Sequence, residues 1–307
     1  MRSLLKRLSI DLFLLADRLG LHVLPKHFYS PVSDYRWLRE HPALWVGRAS
    51  LTGVHWDLDE QLRWLADLCA PYYPEVRGLQ VYRELTDGGI GPGYGPIESQ
   101  VLHCFMRARR PRRVIEIGSG ISTACMLRAV QMNRHEGLGD SRVTCIEPHP
   151  KPGLARLDGI TLIREMCQAL PASLFGELHD GDLLFIDSSH AVRTGSDTLR
   201  IYTELIPNLA PGVFVHVHDI TLPYLYPPDA LVNPWAWQET TLLLALLTHN
   251  PRLSVLACES ALHHDRPAAL AKILSDYRPR TQQQGLDVSG NSQAGTHFPA
   301  SIWLQTR

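Results

Sequence analysis

The chain has 307 residues, 45% of them hydrophobic and 20% charged, with a formal net charge of −1 at pH 7. That length supports a large core, as one domain with an extension or two smaller domains, and the near-zero charge argues against the basic footprint of a nucleic-acid binder. No stretch is long and apolar enough to span a bilayer, and six cysteines without a CxxC pair or metal spacing read as small buried hydrophobes in a reducing, cytoplasmic setting.

In chain order, Leu4, Leu5, Leu8, Leu12, Leu15 and Leu19 recur at helical spacing. Asp11 and Asp17 interrupt the apolar run and no clear cleavage site follows, so the segment reads as an amphipathic helix rather than a secretory signal. It would pack on the body or on a second copy of the chain, and the same pattern could hold the protein peripherally on a membrane. Asp57 is a plausible N-cap for a helix with Leu58, Leu62, Leu65 and Leu68 near one face. The segments HFYSPVSDY and LTDGGIGPGYGP are turn-rich and aromatic. Residues 1–92 are therefore expected to form a helical, loop-rich extension and residues 93–307 the main domain.

From Pro96, which suits a first helical turn, a helix should run to about Arg110. Arg107, Arg109, Arg110, Arg112 and Arg113 then read as its solvated end, where cations suit the helix dipole. Strands are expected at 113–117, 142–146, 160–166 and 183–186, within PGVFVHVHDI and RLSVLACES, and in SIWLQT. Helices at about 197–208 and 235–250 alternate with them, which argues for an α/β fold with a parallel sheet and crossovers. The polar stretch 279–298 reads as a mobile loop near the sheet edge.

The run Val114-Ile115-Glu116-Ile117-Gly118-Ser119-Gly120-Ile121-Ser122-Thr123 carries the most information. An apolar strand ends in an acid, a glycine turn follows, and a helix begins, as in the first βα turn of a nucleotide-binding sheet. A dinucleotide site would want a third glycine where Thr123 stands. The pattern E-x-G-x-G-x-S instead resembles motif I of the class I S-adenosylmethionine (SAM) methyltransferases. That resemblance implies a seven-stranded Rossmann-like sheet with helices on both faces and SAM as cofactor. It further implies that Glu116, Gly118, Ser119 and Gly120 hold the methionine part, with Ser122 donating to its carboxylate. Glu147, at the end of the second strand, would accept from the ribose hydroxyls. Tyr94 would line the methionine pocket, or else pack as a loop aromatic.

The fourth strand ends in Asp187-Ser188-Ser189-His190 and the fifth in His216-Val217-His218-Asp219. Both tips belong to the sheet edge that carries the glycine turn, so Asp187, His190, His218 and Asp219 should face one crevice with the nucleotide. His216 reads as a core histidine. The arrangement resembles the catechol-type metal-dependent O-methyltransferases. There a strand-4 aspartate binds a divalent metal and SAM, a lysine base lies three residues on, and an Asp-Asn pair completes the metal site. The resemblance puts Asp187, His218 and Asp219 on a metal (Mg, Mn, Zn or Fe), with Asp187, His190 and His218 as the catalytic set and His190 as general base. The departures are His for Lys and His-Asp for Asp-Asn. GYGPIES, VIEIGSGIST, CIEPHP, FIDSSH..RTGSD, LAPGVFVHVHDI and W..QE together resemble a bacterial group known as methyltransferase family 24, associated with small-molecule and glycan acceptors. Trp235, Trp237, Tyr224, Tyr226, Phe28, Tyr29 and Tyr35 are candidate acceptor-pocket aromatics or core. Two other readings stay open: a Zn or Fe hydrolase or oxygenase built on the His/Asp cluster, and a SAM-binding subunit without catalysis.

Overall fold

A computed structural model of the chain describes residues 2–307 apart from 91, 92, 234, 236, 284 and 287–293. The chain divides into two compact units, Met1–Val46 and Gly47–Arg307. The first contains α1 (Arg2–Arg18) and α2 (Tyr35–Glu40), the latter capped by Asp34, which accepts from the Arg36 and Trp37 amides. Leu8, Leu12 and Leu15 are exposed on α1, as is Leu19 just beyond it, and Ala16 is buried. Phe28 and Tyr29 are almost wholly exposed in the same unit.

The second unit starts earlier than the composition break at residue 92. Its first helix, α3 (Leu58–Cys69), is capped by Asp57, whose carboxylate accepts from Asp59 N at 2.8 Å and Glu60 N at 3.0 Å. The apolar face of α3 needs a partner, and Leu65, Leu68 and Cys69 join the same buried cluster as Val114, Phe185 and Trp303. Then follow α4 (Gln80–Leu85), α5 (Pro96–Arg109), β1 (Arg113–Ile117), α6 (Ile121–His135), β2 (Arg142–Ile146), β3 (Ile160–Ile163) and β4 (Leu183–Ile186). After them come α7 (Asp197–Arg200), β5 (Phe214–His218), α8 (Glu239–Leu247), β6 (Leu253–Cys258), α9 (Glu259–Asp265), α10 (Pro267–Ile273) and β7 (Ser301–Thr306).

The sheet order is β3-β2-β1-β4-β5-β7-β6, the seven-stranded sheet that the sequence resemblance implies. It is mixed rather than wholly parallel: β1 to β5 run parallel, while β7 inserts antiparallel between β5 and β6. Side chains alternate across it. Val114, Leu183 and Phe185 enter one buried cluster, and Ile115, Ile117, Leu184 and Ile186 enter the other.

Four local expectations shift. The 235–250 helix is confined to Glu239–Leu247, and the 197–208 stretch is α7 followed by a π turn and a 3-10 turn. The 279–298 segment is pinned at its described ends, where Pro279 bridges His297 and Arg280 N donates to the His297 carbonyl at 2.9 Å. Arg107 is buried rather than solvated. Its guanidinium donates to Glu75, Glu136 and Asn133 and lies over the Tyr72 ring, so two carboxylates and an aromatic face compensate its desolvation.

Candidate functional site

The parallel strands deliver Gly118, Glu147, Asp187 and Asp219 to one carboxyl edge of the sheet. The two glycines of the turn do different work. Gly118 has φ +74, and a Cβ there would run into the Asp187 carbonyl, so this glycine permits the close approach of the β1 and β4 tips. A Cβ on Gly120 would meet nothing within 4 Å, so it is Gly120 that presents open backbone to a ligand. Thr123 explains the missing third glycine: its hydroxyl accepts from Gly120 N at 3.0 Å and donates to Glu116, bracing the turn.

Glu116 is fully buried and also accepts from Ser122 Oγ at 2.6 Å and Cys145 Sγ at 3.3 Å. Burial pushes its pKa up to about 7 against the pull of these donors. Ser122 is thereby committed to Glu116, rather than standing free to donate to a cofactor carboxylate. Glu147 accepts from Ser119 N at 3.3 Å and His149 N at 2.8 Å, which fixes its carboxylate beside the turn.

At the neighbouring tips, His190 and Asp219 both adopt positive φ (56° each), a conformation uncommon for residues other than glycine. His190 sits among three acids. Its Nδ1 lies 2.7 Å from Glu239 Oε2, and its Nε2 lies 3.3 Å from Asp187 Oδ1 and 3.4 Å from Asp219 Oδ2. Trp237 packs 4.5 Å from its ring. Burial alone would lower the His190 pKa, but the three carboxylates outweigh it and hold the imidazole well above its ordinary value. The near-neutral base expected from an unperturbed histidine is thus a stabilised cation here. Asp187 is correspondingly held below its usual range: burial raises it, and His218 and His190 more than reverse that.

His218 Nδ1 is 3.2 Å from Glu98 Oε1, an ion-pair contact without hydrogen-bond alignment, and its Nε2 is 3.6 Å from Asp219 Oδ1. Burial opposes its charge, yet Asp219, Asp187 and Glu98 raise it to about 10. Donor atoms of Asp187, His218 and Asp219 lie within 4.8 Å of one another, a spacing compatible with one cation. His216 is enclosed between Phe185 and Trp303, with Nε2 2.9 Å from the Tyr94 hydroxyl, and burial drives its pKa well down. Tyr94 is buried over these rings and against His218, as a packed aromatic whose face borders the crevice.

Residues 115–220 match a family model described as a methyltransferase domain. The matched segment spans the glycine turn and the β4 and β5 tips. The chain is similar to an SAH-bound methyltransferase of Podospora anserina, at 15% identity over 75% of this chain and 93% of that one, with a TM-score of 0.38. It is also similar to a Staphylococcus aureus protein described as a candidate caffeoyl-CoA O-methyltransferase, at 15% identity over 65% and 93% of the two chains, with a TM-score of 0.40. No curated protein sequence matches. No helix among the described residues is long and apolar enough to cross a membrane.

Sequence reasoning missed three acids of the candidate site. Glu98 accepts from Ala300 N at 3.0 Å and faces His218; Glu239 holds His190; Glu259, fully buried, accepts from Trp303 Nε1 at 3.2 Å. Glu98 and Glu239 stand inside GYGPIES and W..QE, but nothing in those patterns says which strand tip they reach. Of the candidate aromatics, Trp237 borders the crevice, while Trp235 is exposed.

Proposed function

We propose that this protein transfers the methyl group of SAM to a hydroxyl of a small-molecule or glycan acceptor, with His190 as general base and a divalent cation at Asp187, His218 and Asp219. SAM, when bound, supplies an electrophilic methyl on a sulfonium. The observation that carries the reading is the convergence of the open Gly120 backbone, Glu147, and the Asp187/His190/His218/Asp219 group on one edge of a methyltransferase domain.

The chain's own residues have separable tasks. Gly120 leaves room for the methionine part, and Glu147 offers carboxylate oxygens to the ribose diol. A bound cation would supply Lewis acidity that lowers the acceptor hydroxyl's pKa. Asp187 and Asp219, were they to hold such a cation, would no longer keep His190 Nε2 protonated. Nε2, facing both acids, then takes the acceptor's proton, while Glu239 stabilises the resulting charge through Nδ1. The direct contact of His190 Nε2 with both aspartates favours a second, metal-free reading, in which the imidazolium itself is the cation of the site.

Isothermal titration with S-adenosylhomocysteine tests the assignment. Micromolar-range binding is expected in the wild type, weakened roughly tenfold or more in Glu147→Ala, as expected when charged hydrogen-bond acceptors are lost. Absence of binding by the folded wild type would overturn it.

A further inference from the structure

Beside the His218/Asp219 tip lies a cleft of about 390 Å³, lined also by Tyr94 and Glu98. Trp237 and Phe298 border it, and Arg280 lines it. Arg280 differs from its basic neighbours. Arg48 is paired with Asp265 at 2.6 Å, and Arg278 donates to the carbonyls of Ser275 and Tyr277. Arg280 forms no ion pair among the described residues, and its Nε is buried without a hydrogen-bond partner. Asp229, another acid of the cleft, accepts from Asn233 Nδ2 at 3.0 Å and does not reach it.

The backbone of Arg280 is fixed by its bond to the His297 carbonyl. His263 is held uncharged, at about 3, by burial first, then by His264 and Arg280, and His297 is lowered by burial, then by Arg278 and Arg280. A buried Nε–H without a partner, on an arginine that lines a cleft, is costly unless a ligand completes it. The planar guanidinium fork suits carboxylate or phosphate oxygens.

We propose that Arg280 recognises an anionic group of the methyl acceptor, so that the acceptor is an acid: a hydroxylated carboxylate or phosphate whose apolar body lies between Trp237 and Phe298 and whose hydroxyl points to Asp219. This rests on the methyltransferase reading. It adds a specificity determinant to the cleft beside the His218/Asp219 tip.

The test uses the full chain saturated with S-adenosylhomocysteine and three probes: 4-hydroxybenzoate, its neutral isostere 4-hydroxybenzamide, and phenyl phosphate. Titration should show an acid preferred over the amide by about tenfold or more, in line with a charge-assisted hydrogen bond. Whether the benzoate or the phenyl phosphate binds tighter names the anion. Arg280→Gln should abolish the preference and Arg280→Lys should restore part of it, while S-adenosylhomocysteine affinity stays at the wild-type value in both. Equal affinity for acid and amide in the wild type, or no measurable binding of either acid, overturns the proposal. So does a preference that survives Arg280→Gln. A loss of S-adenosylhomocysteine affinity in Arg280→Gln would reassign Arg280 to the cosubstrate carboxylate. Failure of the wild type to bind S-adenosylhomocysteine at all would instead remove the underlying methyltransferase reading.

Discussion

His190 Nδ1 and Glu239 Oε2 are 2.7 Å apart, and Glu239 is buried and further fixed by Ser188 Oγ at 3.0 Å. The pair fixes which ring nitrogen is held by the protein and leaves Nε2 to the crevice, as a carboxylate orients an imidazole in acid–base catalysis. It also raises the pKa of the ring. Glu239→Gln should therefore lower the His190 pKa, moving the acid limb of the pH–rate profile to lower pH and reducing kcat about tenfold through lost orientation. His190→Gln should lower the chemical step by roughly 10²–10⁴-fold with S-adenosylhomocysteine affinity retained. An unmoved acid limb in Glu239→Gln would assign that limb to another group.

The two glycines of the turn should separate in mutagenesis. Gly118→Ala puts a Cβ against the Asp187 carbonyl at a positive φ and should cost on the order of 1–3 kcal/mol of stability or prevent folding. Gly120→Ala adds its methyl to open space, so it should keep the wild-type melting temperature and weaken S-adenosylhomocysteine binding. A Gly120→Ala protein with undiminished affinity would move the ligand elsewhere on the edge.

Cation dependence can be checked by chelation and add-back of Mg, Mn or Zn, with Asp187→Asn and Asp219→Asn as controls. Because His218 is held protonated to about pH 10, serving as a ligand requires it to shed a proton. Cation affinity should rise with pH, and titrations in buffers of different ionisation enthalpy should show proton release. Full turnover in chelator, with no metal by elemental analysis, would select the metal-free reading.

Glu259 offers a stability test that needs no substrate. Burial, reinforced by Glu98, raises its pKa from 4.5 to about 8. The folded state keeps this acid protonated where the unfolded chain has ionised it, so its contribution to stability falls as pH climbs from about 4.5 to about 8. Glu259→Gln mimics the protonated form and escapes that loss. Its stability relative to wild type should increase across the same window, by at least about 1 kcal/mol at pH 8, since one pKa unit corresponds to about 1.4 kcal/mol. A pH-independent difference in denaturant midpoints would show that Glu259 does not titrate there.

The sequence by itself determined the strands and the edge. Apolar runs of four to six residues fixed β1, β2, β4 and β7 to the residue, because such segments have few alternatives once buried. Parallel connectivity then had to bring Asp187, His190, His218 and Asp219 to the glycine turn. What the tertiary structure alone decided were partners distant in the chain: Glu239 on His190, 49 residues away; Ala300 on Glu98, 202 away; and the Asp187 carbonyl over Gly118. Local pattern reports a residue's own periodicity and not what crosses to meet it. Charge states follow those crossings: His190 became a held cation, Ser122 a brace for Glu116, and Arg107 a buried ion-pair centre.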